Sequence, residues 1–410
     1  MMKLNKYLPF AGLYFFVNAV ALPLGLTYTA LLGPFFYAWV VLKRKKEILL
    51  PLLVILLPFI ILHLFVVGVD LSSYGFSILN IIMLWFFGQA FYTFLKISAD
   101  PEKIFRKLLV INCLLCLVAI VFYLTPYDAV FWIQQNLTDG VSGFRRLKMF
   151  TYEASYYAVL FVPLFLFYLL QYLFRQNTIP GGWLLFMLFL PLVLSFSVGV
   201  IGALVAAALI VFLLYFRRLA ANKRILNAVI TGTVLTGIAL AVLFLLFRDN
   251  LLFSRILNIA AGEDTSGQGR TADAFVLASK LLKEKNEYWG IGPGQVKIIG
   301  QDMIRGYYLY SPGTPVAIPN AVAETLVLFG WVGLSLRFLL EIFLFFSTKV
   351  WNNYYRLLLF LFMFIYQFTG SFITNVAEYV IWILAFTPVF HQFDVKAVSK
   401  RSRPSPLVHG

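Results

Sequence analysis

The feature that most constrains this chain is a succession of apolar runs, interrupted once by a long polar stretch at residues 248–319. A helix that crosses a bilayer needs about 20 mostly apolar residues. The hydrocarbon offers no hydrogen bonds, so a spanning backbone must satisfy itself as a helix. Twelve candidate spans follow: 8–22, 26–42, 48–69, 74–95, 105–124, 154–174, 182–197, 199–216, 225–247, 319–346, 354–370 and 372–391. The residues are 61% hydrophobic and 12% charged, against about 45–50% and about 25% in soluble domains. A soluble core cannot absorb that excess. The expected fold is all-α and polytopic, one membrane domain over 1–410 with about twelve transmembrane helices. The pairs 8–22/26–42 and 182–197/199–216 are short and tightly joined, with Pro23, Pro191 and Gly199 at the breaks, so each could instead be a broken or re-entrant pair. The first apolar segment has no A-x-A-like site and is expected to remain as a span rather than a cleaved leader.

The charges sort by side. Alternating the connections puts 21 of the 33 Lys and Arg on one side, including KRKKE at 43–47 and the tail at 392–410. The short loops on the other side, at 23–25, 70–73, 198 and near 371, hold none. The positive-inside rule then places both termini in the cytoplasm. The net charge of +15 is thus a matter of sidedness, and no nucleic-acid partner is expected.

Arg337 lies inside a span, and the remaining 11 basic residues fall in two loops expected outside. One is 125–153, with Arg145, Arg146 and Lys148. The other is 248–318, an extracytoplasmic cap with Arg248, Arg255, Arg270, Lys280, Lys283, Lys285, Lys297 and Arg305. Positive charge there does not set orientation. It suits a chamber that holds phosphate, because Arg guanidinium groups grip phosphate oxygens in pairs. In the cap, Gly262–Gly269 reads as a turn region. Thr271 is placed to cap an amphipathic helix over 271–286, with Phe275, Ala278 and Leu282 on its apolar stripe. That stripe could pack on the cap's own core or lie at the lipid headgroups. Arg270 at the helix start adds to the positive end of the dipole, a favourable anion site. YWGIGPG at 288–294 allows a tight turn and close backbone approach.

Glu153 and Glu324, at the outer mouths of their spans, are the carboxylates available to accept a proton. Glu153 could equally do no more than pair with an arginine. Neither outer loop carries a DxD-like metal motif or a His, so no metal is expected. Arg337 and Glu341 are four apart and expected to pair. Glu378 could line the chamber or make a buried hydrogen bond. Cys113 and Cys116 read as core packing rather than a metal or redox pair.

Arg270, the helix after it, GIGPG at 290–294, Asn320 and ETLVLFGWVGL at 324–334 together resemble the O-antigen polymerase/ligase superfamily. Upstream, RRLKMFTYEASYYA at 145–158 resembles the segment entering a span after that family's other functional outer loop. Two departures stand out. The family's SRG-like signature is here SFSVGVIG at 195–202, without its Arg, and Pro319 stands where the ligases carry a His. The second departure favours the Wzy-type polymerases over the ligases.

The resemblance implies an architecture similar to GT-C-type integral-membrane glycosyltransferases, in the bacterial inner membrane. It implies polymerisation of undecaprenyl-diphosphate-linked oligosaccharide repeat units at the outer face, without metal or other cofactor. Membrane lipid and a chain-length regulator are the further partners. Arg270, Arg146 and Glu153 are then the expected catalytic residues. Arg145, Arg255, Lys148, Gly292, Asn320 and Glu324 are the expected substrate contacts. The alternatives are a ligase of the same superfamily and a transporter or flippase of anionic glycolipids. A transporter would be expected to show paired repeats with interrupted spans in both halves, and no such repeat is evident.

Overall fold

The structure, a computed structural model, describes residues 7–17, 28–134, 145–176, 179–231, 269–308 and 316–401. Arg255, most of the 225–247 run, the 262–268 turn region and the end of the tail lie outside them.

Helices dominate. The N-terminal segment holds α1 (Leu8–Gly12), α2 (Tyr28–Leu31) and α3 (Gly33–Ala38), and α1 and α3 each open into a wide π-type turn. Then come α4 (Leu49–Leu62), extended by π-type turns to Val67, α5 (Leu71–Ile97) and α6 (Pro101–Phe122). Asp70 caps α5 through Ser73 N at 2.8 Å, and Asp100 caps α6 through Lys103 N at 3.1 Å, so both starts are fixed by short acceptors at the N-cap. The bundle continues with α7 (Ala154–Leu173), α8 (Gly181–Ser195) and α9 (Val198–Leu214). It ends with α10 (Ala272–Lys283), α11 (Ala321–Ser347), α12 (Tyr354–Tyr366) and α13 (Val376–Phe386).

Among the described residues five helices are long and apolar enough to cross a membrane: α4 with its π-type extension, α5, α6, α7 and α11. Four shorter apolar helices, α8, α9, α12 and α13, accompany them. The helix α7 carries no charge and is buried on nearly every face, packed against α8, α9, α12 and α13. Elsewhere the outward faces are apolar. Leu336, Leu339, Leu340, Phe343 and Phe346 form an exposed stripe at helical spacing on α11, and Leu50, Val54 and Phe65 are bare on α4 and its extension. A soluble protein rarely leaves such continuous apolar surface uncovered. This is a helical membrane protein.

Three features differ from the sequence reading. First, the loop 125–153, expected outside, contains a two-stranded hairpin: β1 (Trp132–Gln134) pairs antiparallel with β2 (Arg145–Leu147). It is plugged into the bundle by Phe131, Trp132, Leu147 and Met149, which pack on Cys116, Ala119 and Tyr157. Both cysteines are free and buried, as core packing requires. Second, the break between α8 and α9 falls at Phe196, which takes a left-handed φ of 41°, while Pro191 sits inside α8. Third, the run 319–346 is not one straight helix. Gly330 (φ 65°, ψ −168°) breaks α11 into 321–329 and 331–347.

The glycine loop fills that break. Ile291 N donates to Val327 O at 2.9 Å and Gly292 N to Leu328 O at 3.1 Å, while Trp331 N and Val332 N donate back to Glu287 O and Tyr288 O at 3.1 Å each. The backbone groups freed by the break are thus satisfied by another segment, as a membrane interior demands. The approach needs glycine: a Cβ on Gly290 (φ +82°) would stand 2.5 Å from the Leu328 carbonyl. His63 anchors the loop from the membrane side. Its Nε2 lies 2.7 Å from Trp289 O and its Nδ1 3.0 Å from Tyr74 Oη. A carbonyl only accepts, so Nε2 carries the proton and Nδ1 accepts from the tyrosine.

The cap helix α10 forms close to its expected place, ending at Lys283 rather than 286, and Thr271 makes no side-chain cap bond. Ala274, Leu277, Ala278, Leu281 and Leu282 bury against Val322, Ala323 and Leu326 of α11, with Phe275 half-buried beside them. The stripe therefore packs on protein.

Contacts also sort the connections into two ends. Glu102 meets Gln171 and Gln392, Tyr172 meets Arg224, and Tyr215 meets Trp351. The hairpin, the cap and the loop 367–375 gather at the opposite end.

Candidate functional site

The two basic loops meet in a small cleft of about 30 Å³. Tyr152, Glu153, Ser155 and Tyr156 form one wall, Arg270 and Pro319 another, and Tyr366 with 370–372 and Asn375 the third. Arg270 Nη2 lies 3.4 Å from Glu153 Oε1, across 117 positions of sequence. The side chains are 33% and 27% exposed, and a long, half-open pair of this kind is weak. An arriving anion can displace the carboxylate. Two helix N-termini also end here: Glu153 is the N-cap residue of α7 and Asn375 that of α13. Helix dipoles and a guanidinium together give the cleft a positive potential.

Asn320 holds Arg270 in place. Its Oδ1 caps α11 through Ala323 N at 2.9 Å, and its Nδ2 donates to Arg270 O at 2.8 Å and Phe368 O at 2.7 Å. The amide is fully buried with these polar atoms engaged. Expected as a substrate contact, Asn320 instead spends its side chain on protein groups and does not line the cleft.

Neither Arg145 nor Arg146 joins Arg270 in lining the cleft. Neighbours on a strand point to opposite faces. Arg145 turns outward, 2.7 Å from Asp128 and over the Tyr123 ring. Arg146 turns inward and is buried. Its Nε donates to Ser195 O at 2.9 Å, at the C-terminus of α8, where a cation complements the dipole. Arg146 stands behind the cleft, within electrostatic range of Tyr366 in its wall. Lys148 donates to Val130 O at 3.2 Å, and burial lowers its ammonium below the usual lysine range. Gly292 belongs to the seam with α11, packed on Val69 and Tyr74. Among the described residues, only Arg270 and Glu153 of the expected site residues line the cleft.

Glu324 lies elsewhere. Its Oε2 accepts from Ile373 N at 2.6 Å, and it lines a second, larger cavity of about 390 Å³. Deeper in, Arg337 pairs with Glu341 as expected, at 3.1 Å, and also with Glu378. Its Nη1 reaches Thr325 Oγ1 at 2.9 Å. Twelve positions on a straight helix span about 18 Å, so that bond exists only because Gly330 folds the halves together. Glu378 accepts from Ser371 at 2.8 Å and is thus a member of this buried network. Among the described residues no group of three His, Cys, Asp or Glu is placed to hold a metal.

The tyrosines were not anticipated. Tyr152 and Tyr156 flank Glu153 in TYEASYY, a cluster of phenols at the mouth of a span that is visible in sequence. Tyr366 and Asn375 could not be found that way, since nothing local ties them to Arg270. Comparison with protein-family models and with characterised proteins returns no match for this chain.

Proposed function

We propose that this protein polymerises lipid-linked oligosaccharide repeat units at the outer face of a bacterial inner membrane, with undecaprenyl diphosphate as the leaving group. The observation that carries the reading is the meeting of the two basic loops: Glu153 of the first touches Arg270 of the second at the N-terminus of α7. Transfer forms a bond from an acceptor hydroxyl to the anomeric carbon and breaks the bond from that carbon to the diphosphate. The hydroxyl proton passes to a base, and the diphosphate carries away the electron pair. Arg270 and the α7 N-terminus are placed to stabilise that developing charge, and Asn320 keeps Arg270 from drifting. The cleft has room for about one water, so a headgroup arriving from the bilayer enters by displacing Glu153 from Arg270. The comparison with GT-C-type enzymes rests on the helical bundle with an outer cap, and the placement of the termini in the cytoplasm rests on the charge bias.

One observation favours the transporter alternative, since discontinuous helices such as α11 often line ion sites. Here the break is closed by residues 287–292, which leaves its backbone groups engaged rather than open to a solute.

The test is polymer length in cells carrying Arg270→Ala or Arg270→Lys, with membrane levels measured alongside. Losing one preorganised donor typically costs about 10²–10³ in rate. Alanine should leave single repeat units, and lysine, which keeps charge but not the fork, should restore part of the ladder. A normal ladder from Arg270→Ala would sink the proposal.

A further inference from the structure

We infer that the second cavity is the seat of the acceptor saccharide, a neutral polyhydroxylated chain end, separate from the cleft that takes the diphosphate. The inference rests on the polymerase reading. The cavity, about 390 Å³, falls within the range of about 300–1,000 Å³ usual for small-molecule sites. It lies between the first turns of α5, the Gly294–Lys297 segment and the start of α11, at the same end of the bundle as the cleft, and Phe372 is a wall of both.

Its lining has the chemistry of a sugar site. Ser77 and Asn80, half-buried on α5, make no side-chain hydrogen bond among the described residues. Glu324 uses Oε2 on Ile373 N, and its Oε1 makes no hydrogen bond among the described residues. Lys297 is exposed and within electrostatic range of Glu324. No guanidinium lines it, so it lacks the forked donors with which the Arg270 cleft suits a phosphate. What it offers is donors and acceptors in alternation, with Phe76 and Phe372 giving aromatic faces for the apolar side of a sugar ring. A prenyl chain would leave those polar groups without partners.

The experiment uses the full chain in nanodiscs and two probes by calorimetry. One is the oligosaccharide released by mild acid from lipid-linked repeat units, which has no lipid. The other is undecaprenyl phosphate, which has no sugar. The variants are Asn80→Ala with Lys297→Ala, Ser77→Trp to fill the cavity, and Arg270→Ala as the contrast. The cavity variants should weaken oligosaccharide binding about 10-fold or more and leave undecaprenyl phosphate unchanged. Arg270→Ala should do the reverse. Retained lipid binding shows that a variant is folded, and exposed Lys297→Ala alone answers if Ser77→Trp does not fold. No oligosaccharide binding by the unmodified protein, unchanged affinity in the cavity variants, or loss of undecaprenyl phosphate binding in them would each overturn the inference. The polymerase reading is judged separately by chain length in Arg270→Ala cells, so the two failures are told apart.

Discussion

Asn320 joins α11, the residue before Thr271 and the end of α12 through one side chain, which makes Asn320→Ala a sharp perturbation. Alanine removes the cap on Ala323 N and takes the Asn320 donor from two part-buried carbonyls, of Arg270 and Phe368. An N-cap is worth about 0.5–2 kcal/mol, and each stranded carbonyl about 1–3 kcal/mol. Taking the lower half of each range, because the emptied site can relax, gives a loss of about 3–5 kcal/mol. Asn320→Asp is the informative companion. It keeps the cap, but sets a carboxylate against the same two carbonyls, and should be no less damaging than alanine. Reversible unfolding in mixed micelles with increasing sodium dodecyl sulfate measures both. A loss under about 1 kcal/mol in either variant would refute the positioning role and return Asn320 to the list of substrate contacts.

Gly290→Ala should disrupt the seam between the glycine loop and α11, because the new methyl meets the Leu328 carbonyl at 2.5 Å; its membrane level should fall sharply, whereas Gly182→Ala, with open space around it, should accumulate normally. His63→Phe strands Trp289 O and Tyr74 Oη, at about 1–3 kcal/mol each, and limited proteolysis should then cut residues 284–295 faster than in the unmodified protein. Arg145→Ala should change unfolding by no more than about 1 kcal/mol, as expected for an exposed pair. Arg146→Ala, which strips the buried end of α8, should lose several times as much in the same titration.

What the sequence made legible was whatever repeats along one element. Apolar runs announced the five long apolar helices seen among the described residues, the stripe Phe275–Ala278–Leu282 announced α10, and the four-residue spacing announced the Arg337–Glu341 pair. Charge bias singled out the two loops that the fold brings together at Glu153 and Arg270. What stayed hidden depends on partners far away in the chain. Gly330 sits in an unbroken apolar run, and only the docking of residues 287–292 makes a break there tolerable. Three-residue strands carry too little periodicity to reveal β1 and β2, and without them nothing in the sequence separates the directions of Arg145 and Arg146. Asn320 looked like a ligand because a polar residue at a span mouth gives no hint of two carbonyls brought to it from other elements. Glu153 was open between base and ion pair; the contact with Arg270 now accounts for its resting position.

Reconstitution tests the central claim most directly. The purified protein in nanodiscs would be supplied with lipid-linked repeat units and a divalent-metal chelator, and the products resolved by length. The account predicts a ladder from the unmodified protein, slowed about 10²–10³-fold by Arg270→Ala and partly restored by Arg270→Lys. Absence of any ladder from the unmodified protein, or an equal ladder from Arg270→Ala, would contradict it.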